Sequence, residues 1–170
     1  FLRKFRPVAG MPELYRRSAE QGIVFHYVSG SPWQLYLPLA DFLEAEEFPT
    51  GSMHLKQFRL KDRTITSVLA SQEAHKLPAI EAILTAYPQR RFILVGDTGE
   101  QDPEIYAKVA RKHAGQVVGL FIRNVTGEAD DDPRFTAVRE GLEDVRFELF
   151  EEPESLSEAI REIRSGEHPQ

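Results

Sequence analysis

Cysteine is absent from this 170-residue chain, which removes thiolate nucleophiles, disulfides and cysteine-ligated zinc from consideration. No apolar run approaches the roughly 20 residues that a bilayer-crossing helix needs, so the chain reads as soluble. The formal net charge is −6, from 21 Lys and Arg against 27 Asp and Glu. That balance lacks the basic excess of a general nucleic-acid binder, and no nucleic acid is expected as a partner, although a local basic patch stays open. Nothing before Pro7 has the order of a secretory signal, and the first residue is Phe1 rather than Met. The chain therefore reads as an excised or truncated piece of a longer protein. The serine-hydrolase elbow GxSxG is missing too, with no ordered Asp and His partners.

What remains is an ordinary globular composition, 41% hydrophobic and 28% charged with the charges interspersed, which argues against disorder. The length predicts a single domain over residues 1–170. Helical spacing covers residues 11–20 through Met11, Leu14 and Ala19, with Pro12 tolerated in the first turn. A strand follows over 23–28, a turn at SGSP, and a helix over 33–46. Residues 52–60 read as a strand and 61–71 as a loop or short helix. A helix over 73–87 places Leu77, Ile80, Ile83 and Leu84 on one face and stops at Pro88. Then come a strand over 92–95, a helix over 103–113, a strand over 117–122, a short helix over 135–142 and a strand over 145–150. Ser155 and Glu158 form a capping box for a last helix facing inward through Leu156, Ala159, Ile160 and Ile163. This alternation predicts an α/β fold with a mainly parallel sheet and helices on both faces.

Chemistry-bearing residues gather at the carboxyl ends of these strands. In FILVGDTGEQDPEIY an apolar run stops at Gly96, where a tight turn is expected, and Asp97 and Asp102 follow at the spacing GDxxxxD. Ligands bind at that edge of open α/β sheets, and two carboxylates there suit a hard cation such as Mg²⁺. The plain alternative makes Asp102 an N-cap and Asp97 a turn residue. In FHYVSGSPW the strand delivers Ser29 to a loop with Gly30 and Ser31, and a hydroxyl with free backbone N–H groups is what a phosphoryl oxygen needs. The plain alternative is an N-cap serine. Lys76 falls in the first turn of its helix, where a cation opposes the helix dipole, so it either reaches a negative site or snorkels at the surface. Trp33, Tyr36, Leu37 and Phe42 are either core aromatics and aliphatics or a lipid-facing lip, to which Arg3, Lys4 and Arg6 would add attraction for an anionic bilayer.

The blocks RPVAGMPELYR, FHYVSGSPWQLY, the HK of Lys76, FILVGDTGEQDPEIYA and LFIRNV, in this order and spacing, resemble the catalytic domain of the actin-patch-associated phosphatidate phosphatases. That family is a branch of the haloacid-dehalogenase-like phosphatases, more distantly related to the lipins. The resemblance implies a three-layer Rossmann-like sandwich and Mg²⁺-dependent phosphomonoester hydrolysis through an aspartyl-phosphate. It implies a phosphorylated small molecule or phosphatidate as substrate, and a cytoplasmic protein with peripheral membrane contact. By position Ser29, with Gly30 and Ser31, would bind a phosphoryl oxygen, and Lys76 would stabilise charge on the nucleophile and the transferring group. Asp97 would ligate Mg²⁺, and Asp102 would hold the metal or its water. Arg123 is a further candidate for reaching substrate, with a surface salt bridge as its plain alternative. The family's DxDxT motif, which carries the nucleophilic Asp on the first and central strand, is not in this chain; Asp130, Asp131 and Asp132 follow no apolar strand. The resemblance places that missing strand between those ending at Ser29 and Asp97, where its loss would expose apolar edges. A non-catalytic phosphate- or phospholipid-binding module is the alternative function.

Overall fold

Proline in the first turn of a helix leaves no hydrogen bond unmade, and the chain's first helix, α1 (Met11–Glu20), starts that way after a left-handed Gly10. The computed structural model describes residues 5–57 and 65–166, and the chain divides into two units, residues 1–68 and 69–170. Residues 58–64, which take in the end of the expected 52–60 strand and the start of the expected 61–71 loop, lie outside the described residues, as do Arg3 and Lys4.

In the first unit, β1 (Phe25–Pro32) leads through a 3₁₀ turn (Trp33–Leu35) and α2 (Tyr36–Ala45) to β2 (Gly51–Lys56). The two strands pair in parallel from Phe25 with Gly51 to Ser29 with Leu55. A Cβ at position 51 would sit 2.4 Å from the Phe25 carbonyl oxygen, so only glycine lets the strands approach there. α1 buries Met11, Leu14 and Ser18. Ser18 takes the inward place expected of Ala19, because its hydroxyl donates to the Leu14 carbonyl one turn back at 2.9 Å.

The second unit carries α3 (Ile65–Ala86), whose start lies across the division, then β3 (Phe92–Asp97), α4 (Asp102–Lys112), β4 (Val117–Arg123), α5 (Pro133–Arg139), β5 (Arg146–Phe150), a second 3₁₀ turn (Pro153–Ser155) and α6 (Leu156–Ser165). Its sheet has the order β3-β4-β5, all parallel. Its core includes Leu84, Ile105, Leu120, Phe121, Ile122, Phe135 and Leu156. The architecture is α/β, with parallel strands in two sheets flanked by helices, consistent with a Rossmann-like sandwich. Among the described residues no helix is long and apolar enough to cross a membrane.

Several boundaries differ from the sequence reading. β1, β3 and β4 run on past their apolar stretches to Pro32, Asp97 and Arg123, because parallel pairing carries the ladder beyond the hydrophobic signal. α3 begins eight residues earlier than residue 73 and keeps Pro78 inside it. Its start, ITSV, is β-branched and polar, and propensity is only a weak prior against tertiary context. α5 starts at Pro133 because Asp132 is its N-cap, its Oδ1 accepting from the Arg134 N–H at 2.8 Å. The capping box at Ser155 does not form. A 3₁₀ turn precedes α6 and gives Ser155 helical φ and ψ, so its hydroxyl donates instead to the Glu152 carbonyl at 2.8 Å.

Candidate active site

Asp97 ends β3, and the chain returns to α4 at Asp102, so both carboxylates do lie at the carboxyl edge of the sheet. Gly96 makes no left-handed turn there; it is a strand residue whose absent side chain admits a neighbour. A Cβ at 96 would meet Asp102 Oδ2 at 2.4 Å. Asp102 is the first residue of α4, with Gln101 as the cap, so the N-cap alternative fails for Asp102. Its Oδ2 accepts from the Asp97 backbone N–H at 3.2 Å and its Oδ1 from Lys76 Nζ at 2.5 Å.

Lys76 is neither in a first turn nor at the surface. The early start of α3 puts it 11 residues inside the helix, and it is only 5% exposed. Its ammonium donates to Glu100 as well as to Asp102, which is 4% exposed. Burial alone would lower the Lys76 pKa, but the charges and hydrogen bonds of Asp102 and Glu100 outweigh it and hold the value above that of ordinary lysine. Burial raises Asp102; Lys76 pulls against it, and the net direction is upward. The corner thus keeps a permanent cation dry between two carboxylates. Glu100 was not foreseen, although it lies inside GDTGEQD.

Asp97 is half-buried. Its Oδ1 accepts from the Gly99 N–H at 2.8 Å, an Asx turn, and among the described residues its other oxygen accepts no hydrogen bond. A hard cation fits that oxygen, completed by waters. Each oxygen of Asp102 accepts one hydrogen bond, Oδ1 from Lys76 and Oδ2 from the Asp97 backbone. Among the described residues no group of three or more His, Asp or Glu side chains is placed to hold a metal ion.

The loop behind these groups is braced. Thr98, buried, accepts on its hydroxyl from the N–H of Val125 at 3.0 Å and of Thr126 at 3.1 Å, and its own N–H donates to the Arg123 carbonyl at 3.0 Å. Arg123 is in register with Asp97 across β3 and β4, which puts both side chains on one face of the sheet. Among the described residues it makes no ion pair, so the surface salt bridge considered for it is not formed.

Ser29, Gly30 and Ser31 are in the first unit, and they do not form a loop beyond the strand. They lie within β1, where Ser29 opposes Leu55 and Pro32 opposes Lys56, so Gly30 and Ser31 form a bulge. The Ser31 N–H donates to Ser29 Oγ at 3.1 Å, and Pro32 rather than a serine precedes the following 3₁₀ turn, so the N-cap alternative fails here as well. Of the aromatic run, Phe42 packs against Phe5 and Phe48 at 5.6 and 6.1 Å between ring centroids. Trp33, Tyr36 and Leu37 are exposed at 59%, 38% and 69% and are not core.

A family model described as the catalytic domain of phosphatidate phosphatase APP1 matches residues 2–124. Among curated proteins the chain is similar to phosphatidate phosphatase APP1 of Saccharomyces cerevisiae, 33% identical over 127 residues that make up 74% of this chain and 21% of that protein. It is also similar to an uncharacterized protein of Schizosaccharomyces pombe, 29% identical over 122 residues, 71% of this chain and 20% of the relative. The chain spans about a fifth of the length of these relatives. No solved structure matches it.

Proposed function

Because the chain belongs to the family of phosphatidate phosphatase APP1 catalytic domains, we propose that it forms part of a Mg²⁺-dependent phosphomonoester hydrolase of the haloacid-dehalogenase type, acting on phosphatidate or a related phosphomonoester through an aspartyl-phosphate. The observation that carries this reading is Lys76, an ammonium buried between Asp102 and Glu100 at the carboxyl end of an apolar strand. A charge that costly to bury is kept where a dianionic phosphoryl group has to be received.

Bound Mg²⁺ would offset the repulsion between an attacking carboxylate and the phosphoryl oxygens. Asp97 would hold it through the oxygen that Gly99 does not engage. Asp102 would act through its neighbours, fixing Lys76 Nζ and the Asp97 backbone, while Lys76 neutralises charge on the nucleophile and the transferring group. The resemblance assigns Ser29, with the N–H groups of Gly30 and Ser31, to a phosphoryl oxygen, and Arg123 at the end of β4 is a further candidate for reaching substrate. The nucleophilic Asp would come from a segment outside this chain, as a strand added beside β3, which among the described residues has β4 as its neighbouring strand. Support for that addition is the half-burial of all six residues of FILVGD in β3, against the nearly complete burial of β4. Exposed Trp33, Tyr36 and Leu37 would form a lip that meets the acyl region of a lipid, giving a cytoplasmic enzyme peripheral contact with membranes.

The test is expression of the chain together with whatever its gene encodes upstream of Phe1. Turnover of phosphatidate vesicles should require Mg²⁺ and fall by orders of magnitude in Asp97→Asn. Unchanged turnover in that variant would overturn the assignment, and saturable phosphatidate binding with no turnover at all would favour the binding module.

A further inference from the structure

Arg134, the second residue of α5, spends all five of its guanidinium N–H donors on the region around the acidic corner. Nε and Nη2 take the two oxygens of Glu104 at 2.6 and 3.1 Å, on the first turn of α4. Nη1 donates to Glu128 at 3.0 Å and to the carbonyl of Thr98 at 3.0 Å. Nη2 donates in addition to the carbonyl of Glu100 at 2.9 Å. The two carbonyls belong to the loop that joins Asp97 to Asp102, and Glu104 belongs to the helix that Asp102 starts. We propose that Arg134 is a positioning residue for the candidate site: it clamps the loop over residues 98–100, and so fixes where Glu100 and Asp102 close on Lys76 and where Asp97 presents its free oxygen.

The clamp is itself anchored. Asp132 caps the backbone of Arg134, Phe135 and Val138 hold α5 in the core, and Arg111 of α4 donates to the carbonyls of Ala137 and Glu140 at 2.8 and 3.0 Å. Arginine is needed for its geometry, since a planar fork reaches two carboxylates and two carbonyls at fixed angles whereas a lysine presents one point charge. Ion pairs near the surface contribute little to stability, and two of the partners of Arg134 are backbone carbonyls of one loop, those of Thr98 and Glu100, so the residue is better explained by what it orients than by what it stabilises.

The catalytic part of the inference rests on the phosphatase reading; the clamp does not. Arg134→Ala and Arg134→Lys are compared with the unsubstituted chain by amide hydrogen exchange at Asp97, Gly99 and Glu100, and by turnover when the upstream segment is present. Both variants should exchange faster at these amides and lose about 10–100-fold in kcat, the range typical of outer-shell partners, with KM little changed. Arg134→Lys should keep a melting temperature near that of the unsubstituted protein. Full restoration of exchange protection and kcat by Arg134→Lys would show that charge alone matters and would overturn the proposal. A lowered melting temperature in Arg134→Ala with unchanged exchange at residues 97–100 would make the residue merely structural and would also overturn it. If the unsubstituted protein shows no turnover, the phosphatase reading falls, and the exchange results still decide the clamp.

Discussion

The sheet of the first unit and the sheet of the second are built from similar apolar and aromatic strands, yet they differ in how much they bury. No residue of β1 or β2 is buried, whereas β4 buries Val117, Gly119, Leu120, Phe121 and Ile122. β4 has a strand on each side and helices α4 and α6 against it, while among the described residues β1 has a single partner strand. Burial thus follows the number of neighbours rather than the hydrophobicity of the strand itself. β3 makes the same point inside one sheet, since its FILVGD, with one neighbouring strand among the described residues, is half-buried throughout. The consequence for chemistry is direct. A dry corner able to shift the pKa values of Lys76 and Asp102 exists in the second unit, while Ser29 and the bulge of Gly30 and Ser31 beside it contain no buried residue.

The contrast breaks or sharpens most clearly with core truncation. Phe121→Ala should cost about 3–5 kcal/mol in chemical denaturation, because a fully buried ring leaves a cavity. Phe25→Ala in half-buried β1 should cost clearly less, and equal losses would erase the distinction between the sheets.

Next in size is the buried ion pair. Lys76→Ala should destabilise by about 3–5 kcal/mol, because it leaves the Asp102 charge buried without a partner. The first-turn reading of Lys76 implied almost no loss. Lys76→Met combined with Asp102→Leu should recover most of it. A double variant as unstable as the single would show that packing, not the unpaired carboxylate, sets the cost.

At the exposed surface the effect on folding should nearly vanish. Trp33→Ala should change stability by no more than about 0.5 kcal/mol, and it should weaken vesicle binding while sparing hydrolysis of a soluble phosphomonoester. Unaltered vesicle binding would remove the lipid lip.

The smallest effect should be a pH response that separates the units. His26 Nδ1 and His54 Nε2 both meet the Ser52 hydroxyl, at 2.6 and 2.9 Å, and the His26 pKa is lowered by burial and by the charge of His54. A lowered folded pKa means stability that is present above the unfolded value and lost as pH falls, so protection of the β1–β2 amides should decline below about pH 6.5. Glu104 is lowered by Arg134 against the pull of burial, and Glu128 is lowered by its hydrogen bonds to Thr126 and Arg134. The same sign therefore applies, but the α4–α5 contacts should loosen only below about pH 4.3. Hydrogen exchange across this range would show two steps, and simultaneous loss in both units would refute the separation.

By itself the sequence determined the alternation of helices and strands, the family, and the placing of Asp97 and Asp102 at a carboxyl edge. Those features rest on short-range patterns: an apolar run bounded by glycine and proline, and motif blocks read along the chain. It misplaced what depends on where neighbours stand. Lys76 reads as a first-turn lysine, reaching a negative site or snorkelling, until α3 is seen to begin at Ile65, and Ser29 reads as a loop residue until β2 is laid beside it. Glu100 lay within a recognised motif, but its partner is 24 residues away. Arg134 left no local signal, because its carbonyl partner in Thr98 is 36 residues distant. Periodicity fixes which face of an element turns inward, whereas the partner that a charged side chain meets there is chosen by strand order and helix packing. Only the tertiary structure could decide that a lysine and an aspartate share one dry corner and that an arginine from the next helix holds its wall.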